Sequence, residues 1–435
     1  MGSASSCRSL LRLNSISHNG LRALERLPLG HLRSLSSGPS AGAHKSKITS
    51  ELWKQRAALA KDATGTEAQQ VMVPKCAADS AVSVRYAFGS DTSLKDAYIN
   101  PFGGPRFGIL MEDMDAIAGN VAFKHTDDGN PLTRPPLLVT ASVDQISLLR
   151  TVPLDDDLLL SAAVVWVGRS SMQIRVILHV EEDDTKPMLE SIFTYVARDR
   201  ATGKSTPLNP FVPKTEAEQA LFAAAEAAEQ ARKAGRKPIS AEAAMVAAAS
   251  DRERATALLK QAQPHILMPS LSPATSMLIR DTGTSNALLC QPQQRNTAGR
   301  IFGGFLMRRA FELAFASAYL HAGARPRFRQ VEHVSFTAPV AIGALLRLNA
   351  IVILVQPEAP QPLVTVDVEA VVARPEERSS AISNTFTFTF AVDRADLAKS
   401  ANGGMLRTTL PASMEEAERQ LRVTQLVQEH PIAVL

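Results

Sequence analysis

The 435-residue sequence predicts an α+β protein of two tandem domains, each an antiparallel sheet wrapped around a central helix, joined by a helical linker. Three observations lead there. The chain repeats itself across its middle, each copy holds one long helix too apolar to face water, and each copy then runs into strands of alternating apolar residues.

Self-similarity is sought first because it constrains every later assignment. "NPFGGPRFGILMEDMDAIAG" from Asn100 aligns with "NTAGRIFGGFLMRRAFELAF" from Asn296 at an offset of 196, matching Asn with Asn, Gly103 with Gly299 and Gly108 with Gly304. "ISLLRTV" at 146–152 matches "VSFTAPV" at 334–340 with offset 188, and "FTYVARD" from Phe193 matches "FTFAVDR" from Phe388 with offset 195. The drift implies loops of different length on one fold.

The strands follow from period-two patterning: Met172, Ile174, Val176, Leu178 and Val180 alternate with other residues, as do Val364, Val366 and Val368, and Phe386, Phe388 and Phe390. Such strands form an antiparallel sheet with one face polar and the other covering the helix. One buried helix wrapped by about five strands is the hotdog arrangement, expected over 81–210 and again over 266–400. Between them, 211–265 is rich in Ala and Glu and reads as two linker helices: Thr215 with Glu218 forms a capping box, Gly235 is a stop, and Pro238 with Ser240 is a restart. Residues 45–80 are an N-terminal extension, and the 401–435 tail ends in a helix of about 15 residues.

Charge is informative only when localised. Residues 1–44 carry five arginines against one acid, Glu25, and ten serines, whereas the remainder has 42 basic and 42 acidic side chains. The leader therefore reads as a transit peptide, to the mitochondrial matrix or alternatively a plastid, against the blander reading of a disordered tail. The neutral body gives nucleic acid no basic surface. Cys7, Cys76 and Cys290 lie far apart, which fits a reducing compartment and neither a disulfide framework nor a zinc site. The most apolar stretch, 305–320, contains Arg308, Arg309 and Glu312, so no membrane span is expected.

The double pattern of Asn, two residues and Gly before each helix resembles the acyl-CoA thioesterases built from two fused hotdog domains. "NTAGRIFGGFLMRRAFELA" is especially similar to the mitochondrial acyl-coenzyme A thioesterase 9 type. The first copy is looser, because Arg106, Phe107 and Gly108 replace Phe-Gly-Gly. The resemblance implies hydrolysis of fatty acyl-CoA with no metal or organic cofactor, and a homo-oligomer, dimer or trimer.

The residue types suit that chemistry. Water attacking a thioester turns its carbonyl into an oxyanion, and the unpaired N–H groups of a helix's first turn are donors at its positive end. Glycine there, at Gly304 and Gly108, lets the acyl carbonyl approach the backbone. Asn296 and Asn100 supply amides that donate and accept without charge. In the related thioesterases the acid lies seven residues beyond that glycine, about two turns. Asp115 stands seven after Gly108; in the second copy that position is Phe311, and Glu312 follows one later.

Two turns span about 10 Å, so one domain's acid and its own glycine cannot meet at a single carbonyl. The family's cross-domain arrangement sets Asp115 opposite Asn296 and Gly304, and Glu312 opposite Asn100 and Gly108. The first site is expected to be the better one. Each residue has a structural competitor: a polar interface residue for Asp115, turns for the asparagines, and for Glu312 an ion pair to Arg308. Arg300, Arg308 and Arg309 are candidates for the coenzyme A phosphates, with a solvated basic face as the alternative.

His125 reads as loop and His333 as strand, neither with a metal-like companion. "GRIFGG" lacks the Lys-Ser/Thr ending of a phosphate loop. Two rivals remain open. One is an enoyl-CoA hydratase of the same fold, tempting at "DAYINPFGG", although Asp96 stands four residues before Asn100 and no His follows. The other is a non-catalytic acyl-CoA-binding protein, suggested by the Phe311-Glu312 register.

Overall fold

A helix whose apolar residues run round every face has to be buried on every face, and the computed structural model shows this chain doing so twice. It describes residues 45–435 except 62–70, 131, 132, 134, 182–185, 236–240, 297, 298, 333, 431 and 433–435. The expected leader, the Pro238-Ser240 restart and His333 lie outside the described residues.

In chain order come α1 (Lys47–Lys61), α2 (Ala77–Ser80), β1 (Val82–Tyr86), α3 (Thr92–Tyr98) and the first central helix α4 (Phe107–Thr126). Four strands follow: β2 (Leu137–Leu148), β3 (Leu158–Val167), β4 (Ser171–Val180) and β5 (Leu189–Arg198). The connecting helices α5 (Glu216–Gly235) and α6 (Ala241–Leu267) lead to β6 (Ser276–Leu278), β7 (Thr284–Leu289) and the second central helix α7 (Gly303–Ala322). Then come β8 (Pro326–Val331), β9 (Val334–Phe336), β10 (Leu345–Gln356), β11 (Leu363–Arg374) and β12 (Ser379–Val392), and finally α8 (Arg394–Ala398), β13 (Thr408–Leu410) and α9 (Met414–Glu429). The two central helices have the same length and are displaced by the offset read from the repeat.

Eleven strands form one sheet in the order β1-β3-β4-β5-β2-β8-β12-β11-β10-β7, with β9 pairing β12 and β2. The order on one side of the centre repeats in reverse on the other. At the centre the strand after each helix meets its counterpart: Ile146 pairs with Val331, Ser147 with Gln330, and Val143 with Val334, all antiparallel. The first half of the sheet packs on α4 and the second on α7. The two central helices pack on each other, and α1 closes over α4.

Hydroxyls hold α1 there. Asp113, fully buried, accepts from Thr49 Oγ1 at 2.7 Å and Tyr86 Oη at 3.0 Å, and also from Ser46 and Tyr98. A buried carboxylate requires such donors. The linker behaves as its caps suggest: Glu218 N–H donates to Thr215 Oγ1 at 3.1 Å, and the helix ends at Gly235. Its second helix runs through Pro264 to Leu267. The tail is integrated, since β13 pairs in parallel with β6 and Arg419 of α9 reaches Asp367 at 2.5 Å. His125, read as loop, is instead in the last turn of α4, because the helix runs on past Phe123 to a cap at Asp127; its Nε2 lies 2.9 Å from Asn209 O.

Candidate active site

The turn before each central helix explains the Asn-x-x-Gly pattern. Asn100 N–H donates to Gly104 O at 2.7 Å and Asn296 N–H to Arg300 O at 2.6 Å. Each Asn Oδ1 accepts from the backbone N–H four residues on, Gly104 at 3.1 Å and Arg300 at 3.0 Å. Between them Gly103 at φ 79° and Gly299 at φ 74° take the left-handed conformation that L side chains resist. Asn100 also accepts from Phe102 N–H, and its Nδ2 donates to Pro105 O, so its amide braces its own loop. The asparagines are thus turn-builders in both copies.

The central helices cross where their first turns meet. A Cβ on Gly304 would lie 3.0 Å from Glu112 Cα, and one on Gly108 would lie 3.3 Å from Arg308 Cγ. These glycines permit helix to approach helix, a use the sequence reading assigned to substrate. Glu112 and Arg308, equivalent positions of the two copies, form a 2.9 Å ion pair across the crossing. Burial pushes the Glu112 carboxyl up to about 7, against the pull of Arg308.

Beside this crossing Asp115 of α4 meets the opening turn of α7. Its Oδ2 accepts from Gly304 N–H at 2.6 Å, and its Oδ1 accepts from Tyr195 Oη at 3.0 Å and Thr140 Oγ1 at 3.2 Å. Gly304 N–H belongs to the first turn, where no carbonyl precedes it, and Phe302 at the cap offers no side-chain acceptor. Asp115 supplies that acceptor from the other half of the molecule. Burial raises its carboxyl above the usual 3.8, while Tyr195, Gly304 N–H and Thr140 pull it down. Arg56 of α1 adds its charge and donates to Ala116 O at 2.9 Å. The site thus brings a carboxylate of raised basicity onto a helix-start N–H that no backbone carbonyl engages, a base and an oxyanion donor side by side.

The family model of the thioesterase superfamily matches residues 107–186, from the start of α4 to the end of β4 and beyond. The chloroplastic acyl-coenzyme A thioesterase 2 of Humulus lupulus is 40% identical over 393 residues, covering 87% of this chain and 88% of its own. The mitochondrial acyl-coenzyme A thioesterase 4 of the same plant is 40% identical over 403 residues, covering 90% and 75%. The mitochondrial acyl-coenzyme A thioesterase 9 of Mus musculus is 31% identical over 336 residues, 75% of each chain. The chain belongs to the acyl-CoA thioesterase family. It has the hotdog thioesterase fold and is a thioester hydrolase.

The other predicted residues of this thioesterase stand elsewhere. Glu312 is held by Arg308 Nε at 3.2 Å and Arg309 Nη1 at 2.7 Å, the structural ion pair that competed with its role as a base. Arg308 and Arg309 are engaged by carboxylates, and Arg300 is exposed beside the Asn296 turn. Asn100, Gly108 and Glu312 do share one feature: they line a pocket of about 590 Å³. Sequence reasoning missed Thr140, Tyr195 and Arg56, which come from two strands and α1. No local spacing links them to Asp115. No described helix is long and apolar enough to cross a membrane.

Proposed function

We propose that this thioesterase hydrolyses fatty acyl-CoA at the mouth between Asp115 and Gly304. The thioester carbonyl takes over the Gly304 N–H, where the positive end of α7 stabilises the oxyanion, and the released Asp115 carboxylate draws the proton from the attacking water. Tyr195 and Thr140 keep that carboxylate oriented. Asn296, in the loop leading into α7, orients the carbonyl. The tetrahedral intermediate collapses to free fatty acid and coenzyme A, and the proton returns to the thiolate. No step calls for a cofactor.

The 2.6 Å contact from Asp115 to Gly304, made between the two halves of the chain, carries this reading. It also supports two tandem hotdog domains, 81–210 and 266–400, whose central helices meet at the site, with the helical linker between them. An Arg-rich leader over 1–44 and organellar relatives support import into the mitochondrial matrix, with the plastid as alternative. Asp115→Asn should lower thiol release from palmitoyl-CoA by at least about 100-fold without loss of fold. Near-normal turnover would overturn the assignment.

A further inference from the structure

The chemistry at Asp115 leaves the second helix mouth unused, and that mouth holds the pocket. It opens between the first turn of α4 and the middle of α7, over an aromatic floor that includes Phe311, Phe315 and Phe328. Its rim carries Arg106, Arg325, Arg327 and Arg329. The last three stand two residues apart at and just before β8, whose pairing with β12 skips Arg329. Among the described lining residues the one carboxylate is Glu312, already held by Arg308 and Arg309. Arg327 has Asp393 at 3.4 Å and Asp396 at 3.8 Å, but Arg106, Arg325 and Arg329 make no ion pair among the described residues. The rim is therefore cationic and the floor apolar.

Arg329 is the most deeply set of these arginines. It is only 6% exposed, its Nη2 donates to Gln361 Oε1 at 2.5 Å, and its Nε has no partner among the described residues. A buried N–H of a charged group left without an acceptor is destabilising, and an incoming anion would relieve it. Guanidiniums bind carboxylate and phosphate through paired N–H groups, and an apolar pocket of this size suits an alkyl chain.

We propose that this pocket binds a fatty acyl group carrying an anionic head and does not hydrolyse it. Phe311 stands where Asp115 stands in the other copy, so this mouth lacks the carboxylate base. The pocket rests on the thioesterase reading for its ligand class alone, since its geometry is independent of Asp115.

The test is titration calorimetry of the purified protein with dodecyl-CoA thioether, which cannot be hydrolysed. Two binding events per chain are expected. Arg329→Gln should weaken one of them by about tenfold or more while leaving the kcat for palmitoyl-CoA unchanged. Arg325→Glu, at a partly exposed position, gives the same readout should Arg329→Gln fold poorly. Competition by dodecanoate for that event assigns the head to a carboxylate; an event that dodecanoate leaves unchanged assigns it to the coenzyme A phosphates. A single event per chain, equal competition by coenzyme A lacking any acyl chain, or an arginine variant that changes neither event would overturn the proposal. Loss of binding together with loss of hydrolysis would do so as well, by making this the catalytic pocket. Failure of the Asp115 assignment is read separately, from turnover of Asp115→Asn.

Discussion

The two helix mouths share one turn and one glycine and differ in what faces that glycine. At Gly304 it is the Asp115 carboxylate, wired to Tyr195 and Thr140. At Gly108 it is the ring of Phe311, which packs edge-on against Phe328 and Phe388. The carboxylate closes its mouth with a short hydrogen bond, whereas the ring leaves the other mouth open as a pocket. A duplicated scaffold thus supplies the turn and the crossing twice, and in the proposed mechanism only the copy facing Asp115 is equipped for proton transfer.

Removing the acids in turn breaks this comparison most sharply. Asp115→Asn is expected to cost at least about 100-fold in kcat. Glu312→Gln should leave turnover within about threefold, because partly exposed ion pairs are worth roughly 1 kcal/mol or less. A loss of only about twofold in each variant would mean that both mouths hydrolyse.

Stability separates the mouths next. Phe311→Ala empties the centre of an aromatic cluster and should lower unfolding stability by about 3 kcal/mol in a denaturant titration, with hydrolysis at the other mouth preserved. The glycines give a smaller contrast. A Cβ at Gly304 would meet the backbone of α4 at 3.0 Å and the Phe302 ring at 2.8 Å, so Gly304→Ala should destabilise by about 1–3 kcal/mol. At Gly108 the nearest atoms are side-chain atoms of Arg308 and Phe311 at 3.3 Å, which can yield. The gain of about 1 kcal/mol in helix propensity then leaves Gly108→Ala near neutral.

Much of this was legible in the sequence. The offset of 196 placed both central helices, and the Asn-x-x-Gly spacing marked both turns, because a repeat carries its own register. Two turns of helix keep an acid from its own helix start, and the resemblance to the double-hotdog thioesterases implied Asp115 opposite Gly304, which the 2.6 Å contact matches. The arginines were harder to read. Arg308 lies four residues before Glu312, which local spacing reveals, but its partner Glu112 is 196 residues away and meets it only because the helices cross at equivalent points. The pocket rim was invisible, since Arg325, Arg327 and Arg329 look like an ordinary charged strand until β8 is seen beside the start of α4. Tyr195 lies on a strand 80 residues beyond Asp115, and only the folded sheet brings its hydroxyl to the carboxylate.

Tyr195 offers the finest test of the occupied mouth. Its hydroxyl donates to Asp115 Oδ1 at 3.0 Å and to the backbone carbonyl of the same residue at 3.1 Å. Donation to a carboxylate favours the ionised form, so the bond opposes the upward push of burial. Tyr195→Phe removes it, and the Asp115 carboxyl should rise further above 3.8. A base works in its ionised form, so kcat/KM falls as pH drops through that pKa. In the variant this decline should begin at a higher pH, with a loss on the order of tenfold where the two profiles diverge most. The same substitution leaves the Phe311 mouth untouched, and binding of the dodecyl-CoA thioether there should keep its wild-type affinity. An acid limb that stays in place while activity drops evenly at all pH values would make Tyr195 a packing residue and detach the titration from Asp115.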